Sequence, residues 1–288
     1  MLTTILRGKN IRSYIPDILL WGMFITLYFS TFVDLYKNRW ENIDYTHAYV
    51  VLPVSLFLAW YKRLQIKALL GVAASAFDTG RGLALLVIGA LLFLIGYRLD
   101  FLMITTLSVV PLLYGIILYR YNGQIARILT FPIFYLLLLV PPPLGILDAI
   151  TLPMRHIISM AAASLLGTFL PVHRDGMMIY IQNTQIFVGA PCSGFRSLVT
   201  MFALALVYVH VIRMEMKKKL ILLAAVVPLA MFGNMVRVIV LSLITYFFGK
   251  EAGEGFFHNF SGAVIFVIMM TGLMWVVKLL EGEYHEDI

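Results

Sequence analysis

Three side chains in this 288-residue chain have the chemistry for covalent catalysis, and each stands where a polar group is costly. Cys192 is the only cysteine. It lies in Gly189-Ala190-Pro191-Cys192-Ser193-Gly194-Phe195-Arg196-Ser197, between a short extended stretch and an apolar helix. A thiol at a helix N-terminus feels the positive end of the helix dipole, which favours the nucleophilic thiolate. Taken alone, a lone cysteine is more often a small buried hydrophobe. Arg237 sits late in an apolar run, with Asn234 three residues before it on the same face. Snorkelling to the headgroups is the competing account of Arg237, but snorkelling needs no partner such as Asn234. His258 opens the last apolar run, with Ser261 and Gly262 at i+3 and i+4. Gly262 would admit a neighbouring helix and Ser261 could hydrogen-bond the ring or a carbonyl. By itself His258 reads as an ordinary interfacial histidine.

The elements that must position these residues are membrane helices. The chain is 61% hydrophobic and 13% charged, about half the charged fraction of a soluble domain. No polar stretch is long enough to build a separate core, so residues 1–288 form one integral membrane domain. A crossing helix needs about 20 apolar residues. Candidates run over Ile15–Val33, His47–Tyr61, Gly82–Tyr97, Phe101–Tyr119, Ile128–Val140, Phe195–Ile212, Leu220–Leu243 and Asn259–Leu280. The fifth stops at Pro141-Pro142-Pro143. Between Pro171 and Pro191 the texture alternates, with a turn-like Arg174-Asp175-Gly176. It predicts two short strands, Met177–Gln182 and Gln185–Gly189. The expected fold is therefore an all-α polytopic membrane protein of about eight transmembrane helices, with a re-entrant or interfacial helix and a short extracytoplasmic β-hairpin.

Lys and Arg in short loops report orientation. Arg7/Lys9/Arg12, Lys62/Arg63/Lys67, Arg120/Arg127 and Arg213/Lys217/Lys218/Lys219 are expected on the cytoplasmic side, with both termini. Asp34–Thr46, Arg98–Asp100 and Lys250–Gly255 are expected outside. The pattern closes only if Leu147–Leu170, which contains Pro153, Arg155 and His156, does not cross. Cys192, Arg237 and His258 then lie at one outer depth on three consecutive spans. At one depth they can make a covalent site. The histidine would deprotonate the thiol and later protonate a leaving amine. The guanidinium would stabilise the oxyanion of a tetrahedral intermediate.

Three segments carry a resemblance. Ala190-Pro191-Cys192-Ser193-Gly194-Phe195-Arg196-Ser197-Leu198, Asn234-Met235-Val236-Arg237 and His258-Asn259-Phe260-Ser261-Gly262 resemble, in order, the cysteine, Asn-x-x-Arg and His-x-x-Ser-Gly motifs of the exosortase/archaeosortase family. His47-Ala48-Tyr49 and the run from Phe131-Pro132 to Pro143 are weaker echoes. Pro191 before the cysteine and Ala48 after His47 depart from the family pattern without touching a catalytic atom. The resemblance implies a sortase-like enzyme of the cytoplasmic membrane with its active site outside. Its partners would be secreted substrate proteins with a C-terminal sorting tail, namely a motif, a membrane helix and a basic cluster. It would cut near the motif and transfer the new carboxyl end to an acceptor. Cys192 would be the nucleophile, His258 the acid/base and Arg237 the oxyanion stabiliser, supported by Ser193, Gly194, Asn234, Ser261 and Gly262. His47 and His173, both expected outside, are candidates for a further polar member of the site.

Other functions are weighed by the same residues. Arg237 and His258 could bind an anionic solute in a transporter or lipid-binding protein; Cys192 would then be dispensable. A serine mechanism through Ser193 or Ser261 lacks a Gly-x-Ser-x-Gly context. The six histidines form no ligand-spaced pair and one cysteine builds no metal cluster, so no metal or other cofactor is expected. The +7 charge is dispersed over loops, which argues against nucleic acid and for contact with membrane lipids.

Overall fold

The computed structural model describes residues 15–40, 47–70, 75–142, 144–182, 184–189, 194–212, 214–249, 251–252 and 256–282. These residues are almost entirely helical. In order they form α1 (Ile15–Leu35), α2 (Ala48–Tyr61), α3 (Arg63–Leu69), α4 (Ala76–Arg98), α5 (Leu102–Leu107), α6 (Val109–Arg120), α7 (Gly123–Tyr135) and α8 (Leu144–Leu166). Strands β1 (Val172–Asp175), β2 (Met178–Ile181) and β3 (Thr184–Phe187) follow, then α9 (Phe195–Val211), α10 (Met216–Phe248) and α11 (Phe256–Gly282). Six helical segments are long and apolar enough to cross a membrane: Ile15–Asn38, Asp78–Arg98, Leu102–Arg120, Asp148–Leu166, Met216–Phe248 and Phe260–Glu281. Ala48–Tyr61, Gly123–Leu139 and Phe195–Val211 are apolar but shorter.

The differences from expectation are local. Asp148–Leu166, expected not to cross, meets the length and composition of a span. Its helix passes Pro153 unbroken. Three of the eight expected spans fall short of that length. The sheet has three antiparallel strands in the order β1-β2-β3, not two strands. Arg174 and Asp175 are in β1, paired with Ile179 and Met178, so the turn lies at Gly176-Met177. Gly176 has φ +57, which relieves the turn of a left-handed side chain.

Two compact units are present, residues 1–42 with 52–141 and residues 43–51 with 142–288. In the first unit, α4 carries glycines seven residues apart that face α5 and α6. A Cβ on Gly82 would lie 2.5 Å from the Tyr119 nitrogen, one on Gly89 2.8 Å from Leu112, and one on Gly96 2.5 Å from the Thr105 nitrogen. Backbones thus meet directly, as small residues permit between helices in an apolar solvent. Several polar groups of this unit pair with one another. The Tyr28 hydroxyl and Ser108 Oγ share a hydrogen bond of 2.6 Å. Arg120 grips Asp17 with Nε and Nη2 donating to its two carboxylate oxygens. Asn122 caps α7, accepting from the Ile125 N–H at 2.9 Å.

In the second unit, two apolar clusters share α10. Met201, Ala205, Leu222, Val226, Ala230, Ile265 and Met269 join α9, α10 and α11. Ile158, Ala162, Leu166, Ile179, Ile181, Val188 and Val238 join α8 and the sheet to the later half of α10.

Gly96→Ala should force α4 and α5 apart and cost about 1–3 kcal/mol, read as a lower unfolding midpoint of the purified protein. Gly22→Ala, on α1 with nothing within 4 Å of the added carbon, should leave the midpoint unchanged or raise it.

Candidate functional site

The register of α9, α10 and α11 decides which polar residues meet. Arg237 on α10 faces Ser261 and Gly262 on α11. Its Nε donates to Ser261 Oγ at 3.4 Å, and a Cβ on Gly262 would lie 3.7 Å from Nη2. Four residues earlier, Gly233 is so close to α11 that a Cβ there would overlap Met269. Gly272 faces Leu229, and at the far end Lys218 Nζ donates to the Leu280 carbonyl at 2.9 Å. The two helices are therefore antiparallel and aligned along most of their length.

Helix α9 enters against the same level of α10. Gly194, its N-cap, has φ +73 and ψ 0. A Cβ there would lie 3.0 Å from Asn234 Cβ and 3.5 Å from the Ala230 carbonyl. The left-handed backbone and the lack of room both demand glycine. At the other end of α9, Tyr208 donates to Glu281 Oε1 at 2.8 Å. Thus Gly194, Asn234, Arg237, Ser261 and Gly262 share one level. Tyr208, Lys218 and Glu281 mark the opposite end, about 25 Å away along the 17 residues of α9. Asn234 is 3% and Ser261 8% exposed, so both are taken out of solvent, while Arg237 is half-buried.

Of the sequence-based candidates, these five are brought together. Cys192 and Ser193 lie outside the described residues. His258 belongs to the first turn of α11, one turn before Ser261, and its side chain is outside the described set. His47 is buried at 6% exposure, and its carbonyl accepts from the Val50 and Val51 N–H groups at the start of α2. His173 is exposed on β1 opposite Tyr180, with ring centroids 6.1 Å apart.

One cation was underweighted by sequence reasoning. Arg155 on α8 is 9% exposed; its Nη2 donates to Thr151 Oγ1 at 2.8 Å and lies 3.6 Å from Asp148 Oδ1. Thr151, Arg155, Ile158, Ser159 and Ala162 are all buried on one helical face. The signal was available as the i, i+4 spacing of Thr151 and Arg155 on that face. Ser159 reaches the sheet, donating to the Gly176 carbonyl at 3.2 Å.

Among the described residues no three His, Cys, Asp or Glu side chains come together as a metal site. The donors at the α9–α10–α11 level are instead a guanidinium, an amide and a hydroxyl, which suit a developing negative charge rather than a cation. The fold and this cluster define a polytopic membrane protein with a polar site recessed at one end of its helices. The family model described as transmembrane exosortase matches residues 40–275, and the chain belongs to that family. No curated protein and no solved structure matches it. Family membership gives the chain a membrane-embedded role in sorting and processing secreted proteins.

Gly194→Ala should add strain of about 1–2 kcal/mol at the left-handed backbone and push α9 off Asn234. The measurement is unfolding of the purified protein beside Gly262→Ala, whose added carbon has ordinary contact distances and should be tolerated.

Proposed function

We propose that the chain is a cysteine transpeptidase or peptidase that acts on the C-terminal sorting tail of secreted proteins at the outer membrane interface. The observation that carries this reading is the meeting of Gly194, Asn234, Arg237 and Ser261 at one level. Gly194 follows Cys192 by two residues, at most about 7 Å of chain. Ser261 follows His258 by one helical turn. Described residues of all three family segments, Gly194, Asn234 with Arg237, and Ser261 with Gly262, thus lie at one level, which supports this reading.

In this mechanism the Cys192 thiolate attacks the carbonyl carbon of the scissile peptide bond. Arg237 stabilises the oxyanion, aided by low local polarity. Ser261 accepts from Arg237 Nε, which holds the guanidinium at this level of the helices. His258, protonated by the thiol, passes that proton to the leaving amine as the C–N bond breaks. A thioester on Cys192 remains. An acceptor, water or an amine, attacks it; His258 takes the acceptor's proton and the cysteine sulfur departs. Both termini and the basic loops are cytoplasmic in this reading, and the tail helix of the substrate lies alongside the spans.

Two experiments test it. In cells co-expressing a tail-bearing substrate, Cys192→Ala should abolish processing while the protein inserts normally. Arg237→Ala should slow it about 10²–10³-fold. Full processing by Cys192→Ala would overturn the mechanism. Because Cys192 is the only cysteine, an impermeant thiol reagent reports its side of the membrane directly. Labelling from outside is expected, and labelling only from the cytoplasm would contradict the assignment.

A further inference from the structure

The buried face of α8 carries a guanidinium that the protein satisfies only in part. Arg155 is 9% exposed, yet its Nε has no hydrogen-bond partner among the described residues. Such a donor is uncommon, because burial removes its bond to water and nothing replaces it. The contacts at the tip of the side chain are few. Nη2 donates to Thr151 Oγ1 at 2.8 Å. It also faces Asp148 Oδ1 at 3.6 Å, beyond hydrogen-bond reach. The Asp148 side chain is 64% exposed and that of Arg155 11%. The pair is therefore open at the Asp148 end and enclosed at the Arg155 end.

Position along the helix gives the pair a direction. Asp148–Leu166 has the length and apolar composition of a membrane span. Asp148 is its first residue, and Arg155 lies about 10 Å further along the axis. The carboxylate thus stands at the end of the span and the guanidinium inside it. Exposed Ile146, Ile150, Leu152 and Ile157 flank the two residues with apolar surface. A bare anion drawn to Arg155 meets the Asp148 carboxylate beside it, and a bare cation drawn to Asp148 meets the guanidinium. A ligand that carries both signs is attracted by both residues. In an aminophospholipid the ammonium is outermost, and the phosphate lies inward of it, next to the acyl chains. That order matches Asp148 followed by Arg155.

We infer that Asp148 and Arg155 together hold a zwitterionic phosphoethanolamine headgroup. The phosphate sits on the guanidinium, where charge-assisted hydrogen bonds are strong and a phosphate oxygen supplies the acceptor that Nε lacks. The primary ammonium donates to the Asp148 carboxylate. The exposed isoleucines and Leu152 meet the acyl chains. The same chemistry has two sources, a membrane phosphatidylethanolamine or a free glycerophosphoethanolamine. The inference uses no residue of the cysteine mechanism and stands or falls independently of it.

The test uses the full chain in nanodiscs of equal parts phosphatidylethanolamine and phosphatidylglycerol, with co-retained lipid read by native mass spectrometry. Wild type should retain phosphatidylethanolamine in about fivefold excess or more. Asp148→Asn keeps the shape at an exposed position and removes the charge, and should bring the ratio close to one. Arg155→Gln should lower retention of both lipids. Loss of a buried cation can also disturb the fold, so unfolding midpoints accompany both variants, and Asp148→Asn carries the decision. The source is read in nanodiscs of phosphatidylglycerol alone, titrated with glycerophosphoethanolamine. A rise in unfolding midpoint that Asp148→Asn abolishes identifies the free headgroup. No rise, with phosphatidylethanolamine retained in the mixed nanodiscs, identifies the lipid. Equal retention of the two lipids by wild type, with no response to the soluble headgroup, overturns the inference. So does a preference or a response that Asp148→Asn leaves unchanged.

Discussion

A guanidinium in an apolar helix must find its partners within the protein, because the hydrocarbon around it offers none. Arg237 meets this requirement in part because α11 comes close enough for Ser261 to accept from its Nε. That approach depends on Gly233, where any side chain would collide with Met269. Asn234, on the same face of α10, is covered by the N-terminus of α9, where Gly194 leaves just enough room. The apolar cluster from Met201 to Met269 then fixes the register below these contacts. Tyr208 with Glu281, and Lys218 with the Leu280 carbonyl, fix it again at the opposite end. Polar pairs at both ends and apolar packing between them leave little freedom for the three helices to slide.

The same constraint shapes the first unit by other means. Its polar residues at one end are neutralised in pairs, Asp17 with Arg120 and Asp78 against the start of α7. Along α4 the contacts are backbone to backbone, through Gly82, Gly89 and Gly96. Glycine every seventh residue places a groove down one face of a helix, and α5 and α6 lie in it. At the end away from Arg120, Asp34 and Asp100 border a polar cavity between the helices. A charge at a helix end is tolerable where water reaches it, and Asp34 and Asp100 are exposed.

Much of this was legible in the sequence because the bilayer writes simple rules. The mostly helical, polytopic fold followed from composition and apolar runs, and the stop of α7 before Pro141 followed from proline chemistry. The Asn234–Arg237 and Ser261–Gly262 spacings named the faces that meet. Span length was less legible. Apolar composition does not say where a helix ends, so α10 runs 33 residues where 24 were expected. The helix containing Arg155 was expected not to cross because charge counting in loops weighed against it. The structure gives Arg155 a partner in Thr151 within the helix, and the helix has the length and composition of a span. The third strand was missed because Arg174-Asp175-Gly176 resembles a turn in composition, while its pairing with β2 is a tertiary fact. The glycine heptad of α4 is present in the sequence, but only the packing shows that its glycines face α5 and α6.

Gly194 shows how one position can serve structure and chemistry together. Serine, threonine, aspartate or asparagine would cap α9 better, since each offers an oxygen to the first-turn N–H groups. Glycine forgoes that bond and gives up a little helix stability. Two things are gained. The left-handed backbone lets Gly194 lie against Asn234 without a steric penalty. The first-turn N–H groups also stay clear of any side chain from the cap, so the positive end of the α9 dipole is not consumed locally. A cysteine two residues upstream would feel that field as its sulfur ionises. Under the proposed mechanism, then, a weak cap at Gly194 is what a thiolate nucleophile would require, and a stronger cap would stabilise the helix at the expense of the nucleophile.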